Sequence, residues 1–197
     1  MEDKYQIVNI NEYLSDKYLE QEVEKIIESF GSPQNEDVEL FLKNNSIQFT
    51  KKGQSVTYLV FRDSDEFDFV GYYTLTIKPI TIDSKLDLSN NFKKRIERVC
   101  KVDENGFYTL SAFLIAQLGK NYNLQESRRI DGKILLNIVH NTLSEIKSQI
   151  GGVAVFLECE DSENDFLKSF YRNNGYTLFD ERVSEKDKKL YQFIKAI

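Results

Sequence analysis

The stretch from Ser111 to Ile150 limits the fold more strongly than any other part of the chain. A mostly apolar run is followed by a polar, basic segment, Tyr122–Asp131, and then by Gly132 at the start of a long amphipathic pattern. This order predicts a strand, a loop and a helix. The first N–H groups of a helix lack intrahelical partners and carry the positive end of its dipole. A loop that brings Arg128 and Arg129 to that point suits an anion such as a pyrophosphate.

Regular spacing defines the helix that follows this loop. Apolar residues recur at intervals of three and four and form one stripe: Leu135, Ile138, Val139, Leu143, Ile146 and Ile150. Gly151 and Gly152 then end the helix. The pattern therefore predicts one long helix packed along a single face.

Another strand, a short helix and a further strand are predicted beyond Gly152. Val153–Leu157 is a continuous apolar run, and Asp161 or Ser162 can cap the helix after it. That helix has an apolar face made of Phe166, Leu167, Phe170 and Tyr171. Asn174-Gly175 ends it, and Tyr176–Phe179 has the composition of a strand.

This order of elements, with the motif Phe170-Tyr171-x-x-x-Gly175-Tyr176 inside the segment from 165 to 176, resembles the GNAT superfamily of acetyl-CoA-dependent N-acetyltransferases. The resemblance implies an α/β (α+β) fold. In that fold a mixed, mostly antiparallel central sheet is flanked by helices and splayed at its central strands. The resemblance also implies that acetyl-CoA is the co-substrate and that no metal is needed.

The family's pyrophosphate loop reads Gln/Arg-x-x-Gly-x-Gly/Ala, and this chain fits it in two registers. If Gly132 takes the final Gly, Ser127 and Ile130 fall on the Gln/Arg and first Gly positions. The other register begins at Arg129 and leaves Ile134 where a small residue is expected. The first is preferred because it keeps the two following leucines on the helix. Both registers implicate one loop: Ser127, Arg128, Arg129, Ile130, Asp131, Gly132, Lys133 and Ile134.

The resemblance also implies roles for residues outside this loop. Backbone groups near Leu118, Gly119 and Lys120 would hold the pantetheine arm and the thioester. Tyr171 would lie near the sulfur as general acid, although its place on an apolar stripe is equally typical of a core residue. No residue identifies itself as the general base. Glu158 is a candidate for base or substrate contact, and a solvated strand end is the alternative.

The net charge of the chain bears on what kind of acceptor molecule it could bind. The chain carries 26 basic and 32 acidic residues, a net charge of −6, which disfavours a polyanion such as tRNA. Cations do cluster locally, at Lys51-Lys52 and in a second group: Lys93, Lys94, Arg95, Arg98 and Lys101. We interpret the second group as a solvated helix face in preference to a binding surface.

Length and composition narrow the class of protein. A chain of 197 residues predicts a single domain spanning 1–197. No apolar run reaches the roughly 20 residues of a membrane span, and the first residues do not resemble a signal peptide, so we expect a cytoplasmic protein. Cys100 and Cys159 are far apart in sequence and His140 is the single histidine. We therefore expect free thiols, an exposed His140 and no metal site.

The remaining patterns predict further elements on both sides of this central stretch. Before it we expect helices at Tyr13–Phe30 and Val38–Asn44, a hairpin of Thr57–Phe61 and Phe67–Ile77 around the turn Arg62–Glu66, and a helix at about 86–102. After it we expect a solvent loop at Glu181–Lys189 and a strand at Leu190–Ile194. The helix at about 86–102 is an insertion relative to the minimal acetyltransferase core. It resembles the GNAT subgroup that acts as toxins in toxin–antitoxin pairs or travels on mobile elements.

Three functions are compatible with these residues. The first is acetyl transfer to a primary amine of a small molecule, peptide or protein. The second is a toxin that acetylates the amino group of aminoacyl-tRNA, and the third is a non-catalytic acyl-CoA-binding or partner-binding module. A homodimer or an antitoxin is the macromolecular partner that the resemblance implies. Fold alone does not choose among them, because function depends on the site.

Overall fold

A computed structural model describes residues 4–63, 67–160, 166–184 and 187–197. Within these ranges the strands are β1 (Tyr5–Asn9), β2 (Val56–Arg62), β3 (Asp68–Asp83), β4 (Phe107–Lys120), β5 (Ala154–Glu160), β6 (Thr177–Val183) and β7 (Lys189–Ala196). The α-helices are α1 (Lys17–Glu28), α2 (Glu36–Asn44), α3 (Ser46–Lys51), α4 (Asn90–Glu97), α5 (Gly132–Ile150) and α6 (Phe166–Asn173). The predicted caps Asp161 and Ser162, and the centre of the predicted hairpin turn, lie outside the described residues.

The strands form a seven-stranded sheet in the order β1-β2-β3-β4-β5-β7-β6. Pairing is antiparallel between β1 and β2, β2 and β3, β5 and β7, and β6 and β7. β4 and β5 are parallel, and their register covers Phe113–Ile115 against Val155–Leu157. Both strands continue beyond it, to Lys120 and to Glu160. The predicted fold, a mixed and mostly antiparallel sheet flanked by helices, is confirmed.

The chain divides into two compact units. Unit 1 comprises residues 1–76 and 116–141, and unit 2 comprises residues 77–115 and 142–197. β3, β4 and α5 each contribute residues to both units. The single domain expected from the length therefore stays a prediction.

The core of unit 1 forms where α1 and α2 pack on β2 and β3. Val23 and Ile27 of α1 and Leu42 of α2 are buried with Leu59 and Tyr72. Both helices begin at side-chain caps, since Asp16 Oδ1 accepts from Tyr18 N and Asn35 Oδ1 accepts from Val38 N. These caps place the start of α1 at Lys17 rather than at Tyr13.

The core of unit 2 includes the helix that the sequence marks as an insertion. Phe92 and Ile96 of α4 pack against Ile80, Ile82 and Leu110 of β3 and β4. The helix is shorter than the predicted 86–102 because its apolar face ends at Ile96, and Val99 is 57% exposed. The predicted inserted helix therefore forms and packs, with corrected limits.

Two other segments differ from prediction. β1 was missed because it is only five residues long and lies at the edge of the sheet, where it pairs with β2. Its Tyr5, Ile7 and Val8 are typical strand residues, but so short a run does not define a strand without its partner. The predicted solvent loop Glu181–Lys189 contains the end of β6 and the start of β7. Its charges stabilise the hairpin, since Lys189 Nζ lies 2.7 Å from Glu181 Oε2.

Cysteine and histidine positions agree in part with expectation. Cys159 is buried and Cys100 is half-buried, and both are free thiols. His140 is half-buried, not exposed as expected, because Leu136 and Leu143, each about one turn away on α5, are both buried. Over the described ranges, no helix is both long and apolar enough to cross a membrane. The same ranges contain no group of three His, Cys, Asp or Glu side chains that could hold a metal ion.

Candidate functional site

Asn121, directly after β4, fixes the start of the loop that leads to α5. Its side chain is 2% exposed, and Nδ2 donates to Phe69 O at 2.9 Å. Oδ1 accepts from Gly31 N at 3.1 Å and from Asn123 N at 3.1 Å. The backbone N–H of Asn121 donates to Val70 O at 2.9 Å. One amide therefore ties the loop to β3 and to the end of α1. Sequence reasoning missed it, because only burial distinguishes it from other loop asparagines.

The predicted pantetheine segment forms the end of β4, where backbones approach closely. A Cβ on Gly119 would lie 2.6 Å from Val38 Cγ1 and 2.8 Å from Tyr72 Cε1. Leu118 and Lys120, on either side, are partly exposed. Packing alone therefore explains why this position is a glycine. The predicted contact of this segment with a thioester stays a prediction.

Gly71 faces the same junction from β3. Gly71→Ala should lower the free energy of unfolding by about 1–3 kcal/mol, the usual cost of overpacking. The reason is that the new Cβ would lie 2.6 Å from Gly119 O, a backbone atom that cannot rotate away. Chemical denaturation measures the change. A variant as stable as the wild type would show that β3 and β4 are farther apart here.

Arg128 and Arg129, the cations predicted to hold phosphate, both contact protein groups. Arg128 forms a two-pronged ion pair with the buried carboxylate of Asp68, with Nε 3.0 Å from Oδ2 and Nη2 bonded to Oδ1. Arg129 donates to Leu124 O and Tyr122 O, each at 2.9 Å. Its guanidinium also lies 5.2 Å from the Tyr122 ring centre. Both arginines thus shape the loop, and their contact with phosphate stays a prediction.

The rest of the loop leads into α5 with a side-chain cap. Ile130 is 1% exposed and anchors the loop in unit 1, whereas Ser127 and Lys133 are exposed. Asp131 Oδ1 accepts from Lys133 N at 2.8 Å and from Ile134 N at 3.4 Å. Gly132 is the first residue of α5. The helix start predicted at Gly132 is confirmed. The carboxylate of Asp131 caps the first amides of the helix.

Tyr171 belongs to unit 2, where α6 packs on the sheet. Its side chain is buried, and its ring centre lies 5.8 Å from that of Tyr176 and 5.9 Å from that of Phe193. Burial raises the pKa of Tyr171 well above its usual range, and the nearby Cys159 adds to the shift. The hydroxyl therefore remains protonated at neutral pH. It is a proton donor in a mostly aromatic environment, and its catalytic role stays a prediction.

Glu158, the candidate base, is held by two partners in unit 2. Arg182 Nε donates to Oε1 at 2.7 Å and its Nη2 donates to Oε2, while Gln192 Nε2 also donates to Oε1. Burial alone would raise the pKa of Glu158, but these hydrogen bonds outweigh it and hold the pKa below its usual range. A carboxylate held in this way accepts protons poorly near neutral pH. The geometry favours a positioning or contact role over that of a base, and both roles stay predictions.

The carboxylate of Glu158 also lines a cavity of about 370 Å³. The other residues at its wall include Leu114, Phe156, Phe179, Asp180 and Arg182. Phe156 and Phe179 meet edge to face at 6.3 Å. The cavity is therefore lined by two aromatic rings and by the ion pair of Glu158 with Arg182.

The basic segment around α4 is only partly available to a ligand. Arg95 Nη1 donates to Ile197 O at 2.9 Å, and Lys93 is half-buried. Lys94, Arg98 and Lys101 are exposed. Of the other predicted pair, Lys51 is bound to Glu20 at 2.5 Å. Three exposed cations therefore lie within residues 94–101, together with the exposed Glu97.

Comparison with known proteins places the fold. No protein-family model and no curated protein matches the sequence. Solved structures do match: a tyrosine-to-phenylalanine mutant of the AtaT toxin, bound to the C-terminus of the antitoxin AtaR and acetyl-CoA, has a TM-score of 0.59 at 15% identity, covering 98% of this chain and 94% of that one. AtaT complexed with acetyl-methionyl-tRNAfMet has a TM-score of 0.58 at 17% identity, covering 95% and 94%. A tyrosine-to-phenylalanine mutant of KacT has a TM-score of 0.59 at 17% identity, covering 95% and 94%.

These likenesses extend over nearly the whole of each chain. The protein therefore has the GNAT-like fold of these structures. The fold predicted from the loop and from the Phe170-Tyr171-x-x-x-Gly175-Tyr176 motif is confirmed. At these identities the likeness defines the fold, and the chemistry has to be argued from the residues.

Proposed function

We propose that this protein is an acetyl-CoA-dependent N-acetyltransferase whose acceptor is the amino group of an aminoacyl-tRNA. The observation that carries the proposal is the junction of β4 and α5. A strand that leaves its parallel partner after Ile115 leads through a braced loop into the start of a helix of 19 residues. This arrangement offers backbone groups for a pantetheine arm and helix amides for a pyrophosphate.

The residues that would hold acetyl-CoA belong to unit 1. Leu118, Gly119 and Lys120 would offer backbone groups to the pantetheine arm. The loop Ser127–Ile134 would take the pyrophosphate, with the exposed Lys133 as its cation and Arg129 as the brace that keeps the loop in shape. Solved AtaT structures contain acetyl-CoA, which supports this choice of co-substrate.

Acyl transfer then requires little from the protein beyond alignment and one proton donor. The amine attacks the thioester carbonyl carbon, the C–S bond breaks, and the thiolate takes a proton. We assign that proton to the Tyr171 hydroxyl, which burial keeps protonated. The proton lost by the amine passes to water, because the held carboxylate of Glu158 is a poor acceptor.

By choosing aminoacyl-tRNA over a free amine, we correct our inference that the negative net charge disfavours tRNA. A structural neighbour, AtaT, is complexed with acetyl-methionyl-tRNA, so the argument against tRNA from the charge of −6 is not supported. Net charge averages over the whole surface, whereas phosphate contacts depend on local clusters. Lys94, Arg98 and Lys101, three exposed cations within eight residues, are the candidates for such contacts. By the same likeness we propose an antitoxin as a protein partner.

A panel of acceptors tests the proposal. Purified protein is incubated with radiolabelled acetyl-CoA and either aminoacyl-tRNA, uncharged tRNA, free amino acids, polyamines or peptides. We expect label only on aminoacyl-tRNA, since uncharged tRNA lacks the amine. Label on a small amine or a peptide alone would restore the first of the three functions. Binding of acetyl-CoA without transfer to any acceptor would favour the non-catalytic module.

A further inference from the structure

Asp131 is an acidic residue at the point where the proposed cofactor loop meets α5. Its Oδ1 accepts from Lys133 N at 2.8 Å and from Ile134 N at 3.4 Å. These amides are among the first of the helix, and they have no intrahelical partner. They are the donors that the start of a helix offers to a bound anion. An internal carboxylate therefore uses the donors that a pyrophosphate would need.

Neighbouring cations do little to cancel this carboxylate. Arg128 is engaged by the buried carboxylate of Asp68, which neutralises its charge locally. The Arg129 guanidinium points to the carbonyls of Leu124 and Tyr122. Of the cations in the loop itself, Lys133 is the exposed one. A pyrophosphate at these amides would therefore face the carboxylate of Asp131, with Lys133 as the exposed cation of the loop.

We propose that Asp131 acts as a built-in competitor that lowers the affinity of this loop for the pyrophosphate of CoA. Its carboxylate caps α5. A bound pyrophosphate would take over the amides of Lys133 and Ile134, and the side chain would have to turn away. Competition of this kind favours release of CoA after transfer. The inference rests on the proposed function, because it needs CoA to occupy this loop.

Asp131→Asn separates the charge from the cap. Asparagine caps a helix about as well as aspartate, so the start of α5 is retained while the negative charge is lost. We expect the Kd for acetyl-CoA to fall about fivefold, the change that corresponds to roughly 1 kcal/mol between unit charges 4 Å apart in water. Free CoA should gain equally, pantetheine should not gain, and added salt should reduce the difference. Isothermal titration calorimetry measures all of these.

Asp16→Asn is the matched control. Asp16 caps α1 in the same way, accepting from Tyr18 N at 2.8 Å and from Leu19 N at 3.1 Å, and its loss changes the net charge equally. We expect it to leave the Kd unchanged. Asp131→Ala removes cap and charge together, so it should lower the melting temperature of the empty protein, which Asp131→Asn should not do.

The outcomes distinguish this inference from the proposed function. Wild-type protein that binds acetyl-CoA no more weakly than Asp131→Asn would overturn the competitor role and leave the proposed function in place. An equal gain in Asp16→Asn would also overturn it, because net charge would then explain the effect. If neither wild type nor Asp131→Asn binds millimolar acetyl-CoA, both the inference and the proposed function are wrong.

Discussion

Replacing Tyr171 with phenylalanine should lower the turnover of acetyl transfer by roughly 10²–10⁴, the usual loss when a positioned general acid is removed. The ring would keep its packing against Tyr176 and Phe193, so the fold should survive. Affinity for acetyl-CoA should change little, because the hydroxyl is assigned to the proton transfer and not to binding. The measurement is a single-turnover rate per folded molecule, with a melting temperature from the same preparation.

Tyr176→Phe is the matched control for this experiment. Tyr176 is also buried, belongs to the same aromatic cluster, and has a pKa that burial raises in the same way. Removal of its hydroxyl should lower stability by about 1 kcal/mol at most and leave turnover intact. A structural Tyr171 would behave like Tyr176. An unchanged rate in Tyr171→Phe, or an equal loss in both variants, would remove Tyr171 from the mechanism.

Replacing Asn121 with alanine should lower the free energy of unfolding by about 2–4 kcal/mol. The estimate follows because Gly31 N and Phe69 O would lose the partner they have in a buried region, and each unsatisfied buried group costs roughly 1–3 kcal/mol. The loop into α5 starts at this residue, so affinity for acetyl-CoA should fall as well. Urea denaturation and calorimetry measure the two effects.

Asn123→Ala provides the comparison. Asn123 is exposed and its Nδ2 donates to Ser29 O at 3.0 Å. Water can replace that bond, so the loss should stay below about 1 kcal/mol. Equal losses in the two variants would mean that Asn121 is not the residue that fixes the loop.

Much of the fold follows from local patterns in the sequence. The apolar stripe of α5 and the glycines that follow it define that helix, because a long amphipathic repeat with a clear stop has few alternatives. β1 was not predicted in this way, since a run of five residues at the edge of the sheet is too short for its Tyr5, Ile7 and Val8 to define a strand by themselves. The end of α4 was misplaced because Val99 continues the spacing without a surface to pack on.

The candidate site was predictable by position and not by contact. The loop Ser127–Ile134 and its helix were located from the order of polar and apolar residues. What each side chain does depends on residues distant in sequence: Arg128 is paired with Asp68, and Glu158 is held by Arg182. No local pattern specifies such pairs, because the partners are distant in sequence and come together only when the chain folds. For the same reason burial, and not sequence, singled out Asn121.

The proposed function depends most directly on acetyl-CoA binding by the loop Ser127–Ile134. The test is the melting temperature of the wild-type protein as acetyl-CoA is added. At a concentration about 100 times the Kd, the linkage should add roughly 2.7 kcal/mol of apparent stability, seen as a clear rise in melting temperature that free CoA reproduces. A melting temperature that stays unchanged at millimolar acetyl-CoA would contradict the account.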